Sequence, residues 1–302
     1  MLHSVRHKGH CKVGEHEGSN PTQLYYEVHG SGPHKILFIM GLCVTGDAWE
    51  EQVKYFVGLG DFTVCIFDNR GVGKSGTTKG PYSTSGMAMD TRDLLNHLGW
   101  TADVHIVGMS LGGMIALEIA SAAPPGLLKS LTLTSTHAGL TVPPVYGAFA
   151  SLRAMFIGDV QRRFEINADI LYPQEWLKRP CPADSPYVVR REEVVHVMKQ
   201  RFIHSPVQPT GGTLGQLSAV LRHHIGKGRL SKIRDAPYPV LVLTGAEDNL
   251  IRPSNSRYLA GQLDGQLEVY SGAGHALPYQ EADRYNQTLL TFFRKAEGQE
   301  VK

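Results

Sequence analysis

A mostly parallel, doubly wound α/β sheet flanked by helices, with a helical cap inserted in it, is the fold class this sequence predicts. Three observations carry that expectation. Short β-branched apolar runs alternate with amphipathic stretches along most of the chain. The runs lack polar alternation, as strands buried on both faces do. One long block, 139–235, holds no convincing run of this kind.

In chain order, strands are expected at 35–40 (KILFIM), 63–68 (TVCIFD), 104–107 (VHIV), 131–135 (LTLTS), 240–244 (VLVLT) and 266–270 (QLEVY). Helical patterns fall between them at 47–57, 86–98, 111–122, 254–263 and 280–295. The third has apolar residues at Leu111, Met114, Ile115, Leu117 and Ile119, and Pro124, Pro125 and Gly126 stop it. Block 139–235 is rich in proline, with helical stretches at 146–157 and 191–203. Its aromatic and aliphatic content, including Phe149, Tyr172, Trp176, Phe202 and Ile203, exceeds what a solvated linker needs. The division expected is a core of 22–138 and 236–296, a helical cap of 139–235, and a polar N-terminal tail of 1–21.

Composition narrows the function. Lys+Arg 30 against Asp+Glu 28 gives a formal charge of +2, too weak a field to hold a polyanion, so nucleic-acid binding is not expected. The longest apolar run, Ile36 to Val44, is far shorter than the ~18–20 residues of a membrane span. Residues 1–14 are polar and lack the apolar stretch of a secretory signal; their shortage of acids leaves a mitochondrial reading beside the cytoplasmic one. Four cysteines without paired spacing fit free thiols in a reducing compartment. His3, His7, His10, Cys11 and His16 lie close in sequence but within the expected tail, and no metal is implied.

Two glycine-rich signals compete. Gly71, Gly73 and Gly76 fit a dinucleotide fingerprint after a strand, with Asp90 and Asp93 at a plausible acidic distance. That site needs a helix opening within the turn, whereas the chain continues as loop through Thr77, Thr78, Gly80 and Pro81. The expectation is a tight structural loop tied by Asp68 and Arg70. Gly108-Met109-Ser110-Leu111-Gly112 is a GxSxG pattern between a predicted strand and a predicted helix. Such an elbow presents a nucleophile in a strained backbone, with glycines allowing close approach. The helix N-terminus aims free N–H groups at a reacting carbonyl oxygen.

With these motifs in place, the chain resembles the α/β-hydrolase fold family from about residue 22 to 296. Met40-Gly41-Leu42 stands where that family has its oxyanion loop, which implies the Leu42 N–H beside that of Leu111. The family commonly has His-Gly there, so Met40 is a departure, one that bears on specificity and leaves the backbone donors intact. Residues 68–75 (DNRGVGKS) are similar to the family's D-x-R-G-x-G-x-S loop. Thr244 to Asp248 looks like its acid turn, and Gly272 to Ala276 like its histidine loop. The resemblance therefore implies Ser110 as nucleophile, Asp248 as acid and His275 as base, with Glu247 a rival acid. Met40, Cys43, Met109, His137 and Trp176 are substrate-pocket candidates. Cofactor and metal are not implied; the expected partner is a small-molecule substrate.

The resulting expectation is a serine hydrolase acting on a carboxylic ester, thioester or lactone of a medium-sized, partly apolar substrate. C–C bond hydrolysis, acyl transfer and cofactor-free haloperoxidase chemistry on the same three residues stay open. So does a receptor of the same fold. Haloalkane dehalogenase and epoxide hydrolase branches would need Asp at position 110.

Overall fold

The computed structural model describes residues 5–15, 20–139 and 141–299. Eight strands form one sheet: β1 (Val5–Val13), β2 (Thr22–Gly30), β3 (His34–Ile39), β4 (Phe62–Phe67), β5 (Val104–Met109), β6 (Leu128–Thr134), β7 (Val240–Gly245) and β8 (Gln266–Tyr270). Their order is β1-β2-β4-β3-β5-β6-β7-β8. The first two pairings, β1 with β2 and β2 with β4, are antiparallel, and all the others are parallel. Helices flank both faces: α1 (Glu50–Gly58), α2 (Thr84–His97), α3 (Leu111–Ser121), then α4 to α9 between β6 and β7, α10 (Pro253–Leu263), α11 (Leu277–Gln280) and α12 (Ala282–Ala296).

Alternation within fully buried strands builds a core on each face. In β4, Cys65 and Phe67 join one layer with Leu94 of α2, Leu117 of α3 and Leu259 of α10. Val64 and Ile66 join the other with Phe56 of α1 and Tyr285, Leu289 and Phe293 of α12. Burying each such side chain contributes roughly 1.5–3 kcal/mol. Helix α3 is buried along nearly its whole length, which explains its almost uniformly apolar sequence.

The polar tail expected over 1–21 is corrected at the described residues 5–13. Residues 5–13 form β1, an edge strand whose residues are mostly exposed. Only Cys11 and Val13 are buried, and Cys11 packs into the core with Leu24 and Tyr26 of β2. A charged, histidine-bearing edge strand conceals the apolar alternation that would reveal it, and it discourages edge-to-edge pairing. The histidines are engaged locally: His7 Nε2 with Tyr26 Oη at 2.8 Å, and His10 Nε2 with the Lys74 carbonyl at 3.2 Å. His3 and His16 lie outside the described residues.

The segment between β6 and β7 carries α4 (Val145–Phe156), α5 (Val160–Leu171), α6 (Gln174–Leu177), α7 (Arg190–His204), α8 (Thr210–Arg222) and α9 (Lys227–Arg234). Its described residues make only isolated β-bridges, Gly139 with His224 and Pro180 with Val189. It has a core of its own, where Phe164, Ala168, Tyr172, Trp176, Leu177, Val194 and Val195 pack together. Trp176, read from sequence as a pocket residue, belongs there: it stacks on Tyr172 at 5.0 Å and is 5% exposed. Phe149, Phe202 and Ile203 point to solvent.

At the N-terminal end of the parallel strands, Glu297 gathers three cations or potential cations. Its Oε1 lies 3.0 Å from His34 Nδ1 and 3.1 Å from His105 Nε2, and its Oε2 lies 3.3 Å from Lys129 Nζ. Burial pushes the imidazoles of His105 and His137 down to about 4, and that of His223 to about 3. Unfolded histidine titrates near 6.5, so between about pH 6.5 and 4 the unfolded state binds protons that the native state refuses. Stability is therefore expected to fall as pH drops through that window, by roughly 2–3 kcal/mol per histidine at its lower end. Asp68, raised to about 6 chiefly by burial, works in the opposite sense. Thermal melts between pH 7.5 and 4.5 check this, with His137→Gln expected to flatten the slope. A melting temperature constant from pH 6.5 to 5 would refute it.

Candidate active site

Ser110 joins β5 to α3 with φ 55° and ψ −119°, a left-handed conformation that costs about 1–3 kcal/mol outside glycine. Surrounding bonds hold it there. Its N–H donates to the Thr134 carbonyl at 2.9 Å. Its carbonyl accepts from Gly113 N at 2.9 Å, Met114 N at 3.1 Å and Thr136 Oγ1 at 2.8 Å. A Cβ at Gly108 would sit 2.3 Å from the Gly112 carbonyl oxygen, and one at Gly112 would sit 2.0 Å from that of Ile39. Both glycines are thus required by close backbone approach, as the GxSxG spacing implies.

Asp248 and His275 emerge beyond β7 and β8 at the same edge of the sheet, both 4% exposed. Asp248 Oδ2 accepts from His275 Nδ1 at 2.8 Å, and Oδ1 accepts from the backbone N–H groups of Leu250 at 2.8 Å and Ile251 at 2.9 Å. Every carboxylate oxygen is therefore committed, one side to the ring and the other to the chain. The rival acid, Glu247, is exposed. With its Nδ1 proton given to Asp248, His275 is left with a lone pair on Nε2, the tautomer a general base needs. Among the described residues no hydrogen bond joins Ser110 Oγ to His275.

The loop after β3 lies against the elbow: a Cβ at Gly41 would be 3.2 Å from Ser110 Cβ. Leu42 is half-buried against the core, and Leu111 is fully buried as the first residue of α3, where helix geometry leaves its N–H without an intrahelical acceptor. Met40 and Met109 are buried beside the elbow in the layer shared with Phe38 and Leu243. Cys43 is half-buried at φ 57°, and burial raises its thiol above the usual range, which keeps it neutral. His137 is buried, with Nδ1 accepting from Gly139 N at 2.9 Å.

Several side chains that shape the site lie outside every motif or, like Asn69, at a motif's variable position. Asn69 Nδ2 donates to the Met40 carbonyl at 3.0 Å, and Thr136 pins the elbow. Gln280 spans the histidine loop, accepting from Gly274 N at 2.8 Å and donating to the Gly272 carbonyl at 2.7 Å. The glycine-rich loop 68–76 is structural. Asp68 accepts from Gly46 N and Lys74 N, both at 2.9 Å. Asp90, at the spacing of a ribose-binding acid, forms a buried bidentate pair with Arg70. A cleft of about 680 Å³ is lined by residues that include Glu175, Asp248, Arg252 and Arg257; neither Ser110 nor His275 lines it. No helix among the described residues is long and apolar enough to cross a membrane.

Residues 35–282 match the family model of the alpha/beta hydrolase fold. A protein of Azorhizobium caulinodans named as a carbamate hydrolase, RutD, is 29% identical over 282 residues, 90% of this chain and 95% of that one. The structure of a protein from Mycobacterium tuberculosis titled as a non-heme bromoperoxidase, BpoC, superposes with a TM-score of 0.74 at 26% identity, covering 93% of this chain and 98% of that one. A thermophilic esterase from Thermogutta terrifontis superposes with a TM-score of 0.75 at 23% identity, covering 95% and 99%, a likeness of fold. The matched span takes in β3 through the start of α12, and with it the serine elbow, the acid turn and the histidine loop, so the chain belongs to the alpha/beta hydrolase fold family.

Proposed function

We propose that this protein is a serine hydrolase that cleaves a carboxylic ester, thioester or lactone through an acyl-enzyme. The observation that carries the reading is the buried Asp248–His275 bond at 2.8 Å, set at the same sheet edge as a serine held in the left-handed region. A structural turn has no need of either. In this reading His275 Nε2 takes the Ser110 proton as Oγ attacks the carbonyl carbon, and Asp248 stabilises the imidazolium that results. The backbone N–H groups of Leu42 and Leu111 hold the developing oxyanion. His275 then protonates the leaving group and activates water to release the acid. The helical segment 139–235, with the core 22–138 and 236–296, forms the cap over the reaction. Its contacts with the loops after β3, β4 and β8 support that placement.

A carbamate carbonyl is a second candidate for the same attack, favoured by the relative named as a carbamate hydrolase. The other acyl-type and haloperoxidase chemistries use the same three residues. The test is labelling with a fluorophosphonate, peptide mapping, and a panel of esters, thioesters, lactones and carbamates graded by chain length. The expected outcome is one adduct on the peptide bearing Ser110 and turnover that rises with moderate acyl length. Absence of both labelling and turnover in folded protein that binds a ligand tightly would instead make it a receptor.

A further inference from the structure

Resting on the serine-hydrolase reading above, we infer that Gln216 of α8 is a positioning residue for the oxyanion loop. Its side chain is 0% exposed and spans two loops of the core. Oε1 accepts from the Cys43 backbone N–H at 2.7 Å, and Nε2 donates to the Arg70 carbonyl at 2.9 Å. Both ends of a buried amide are thereby satisfied, one on the loop after β3 and the other on the loop after β4.

The position of these bonds along the chain gives them their meaning. Asn69 grips the carbonyl of Met40, fixing the peptide between residues 40 and 41. Gln216 grips the N–H of Cys43, fixing the peptide between residues 42 and 43. Between these two pinned planes lies the peptide of Gly41 and Leu42, whose N–H is the proposed oxyanion donor. Gly41 packs on Ser110 Cβ, so rotation of that plane would move the donor relative to the nucleophile. Cys43 at φ 57° is the bend that turns the loop, and an L-residue keeps that conformation only under external restraint.

Helix α8 is itself anchored where Gln216 reaches in. A Cβ at Gly212 would lie 2.0 Å from the Gly71 carbonyl oxygen, so the two backbones touch. Nearby, Gln208 Nε2 donates to the Gly71 carbonyl at 2.7 Å, and Ser218 Oγ and Arg222 donate to the Tyr82 carbonyl at 3.1 and 2.5 Å. The helix is thus a fixed brace from which the amide holds the loop.

Two substitutions test this. Gln216→Met keeps the volume and removes both polar ends, and Gln216→Asn keeps the amide but shortens its reach, so it cannot bridge Cys43 and Arg70 together. Each is expected to lower kcat on an activated ester about 10–100-fold with KM changed less than about threefold, since a misplaced donor acts on the transition state. Affinity for a boronic acid, whose tetrahedral adduct on Ser110 places an oxygen in the same hole, should fall by a similar factor. A merely structural role would lower the melting temperature and leave kcat and boronate affinity of the folded protein unchanged. Either variant, folded and with both values within twofold of the parent, overturns the inference, and the asparagine form decides if the methionine form does not fold. Failure of the parent protein to label at Ser110 would overturn the serine-hydrolase reading instead, which separates the two failures.

Discussion

Ser110→Ala is expected to abolish fluorophosphonate labelling and to lower kcat by about 10⁴–10⁶-fold while leaving the fold intact. The elbow is held through the backbone of residue 110: its N–H to Thr134 and its carbonyl to Gly113, Met114 and Thr136. Alanine makes all of these bonds and accepts the positive φ no worse than serine does, so the melting temperature should move little. Activity has no such insurance, because removing the nucleophile removes the covalent route outright. The rate that remains reflects binding and the two backbone donors, which in other serine hydrolases sustain roughly 10³–10⁴-fold over water. Single-turnover and steady-state rates on one activated ester, with circular dichroism as the fold control, provide the check. Near-parental turnover by this variant would end the acyl-enzyme mechanism.

Asp248→Asn should cost about 10⁴-fold in kcat, and Glu247→Gln about twofold or less. The difference follows from how Asp248 is held. Its Oδ1 receives the N–H groups of Leu250 and Ile251, so an asparagine must turn its carbonyl oxygen towards them. Its NH₂ then faces His275 Nδ1, where Asp248 Oδ2 had accepted. That ring nitrogen must become the acceptor, the proton moves to Nε2, and the base can no longer take the serine proton. Glu247 is exposed and holds its place through a backbone bond to Ala273, which the amide leaves untouched. Equal losses at the two positions would reassign the acid.

What could be read from the sequence follows the physical character of each element. Strands β3 to β8 announce themselves because five of the six have at least two-thirds of their residues buried, so apolar runs mark them without ambiguity. β8, the exception, is recognised by its place in the rhythm. β1 is a solvated edge whose residues are chosen against pairing, and its signal is two buried residues at the far end. The strained turn at Ser110 was legible because a strand and a helix meet there around a GxSxG pattern. Its braces were not. Thr136 acts across 26 residues and Gln216 across 173, and nothing local distinguishes them from any threonine or glutamine. Trp176 shows the converse: a large aromatic in a helical insertion is marked equally for a ligand or for the insertion's own core, and here it stacks on Tyr172.

Glu297 bears on how the chain reaches its native state. Its three partners are drawn from residues 34, 105 and 129, so the contact that ties the bottoms of β3, β5 and β6 must close over long stretches of chain, 192 residues in the case of His105. Helix α12 likewise supplies Tyr285, Leu289 and Phe293 to a layer of the core shared with Phe38, Phe56 and Val64, far from it in sequence. Until these contacts form, one face of the parallel sheet is half covered, because loop closure over such separations precedes any gain from the contacts. Folding therefore passes through a stage in which that apolar sheet face is exposed to other chains. Coexpressed chaperones should raise its yield, since a holdase covers the exposed face during that stage.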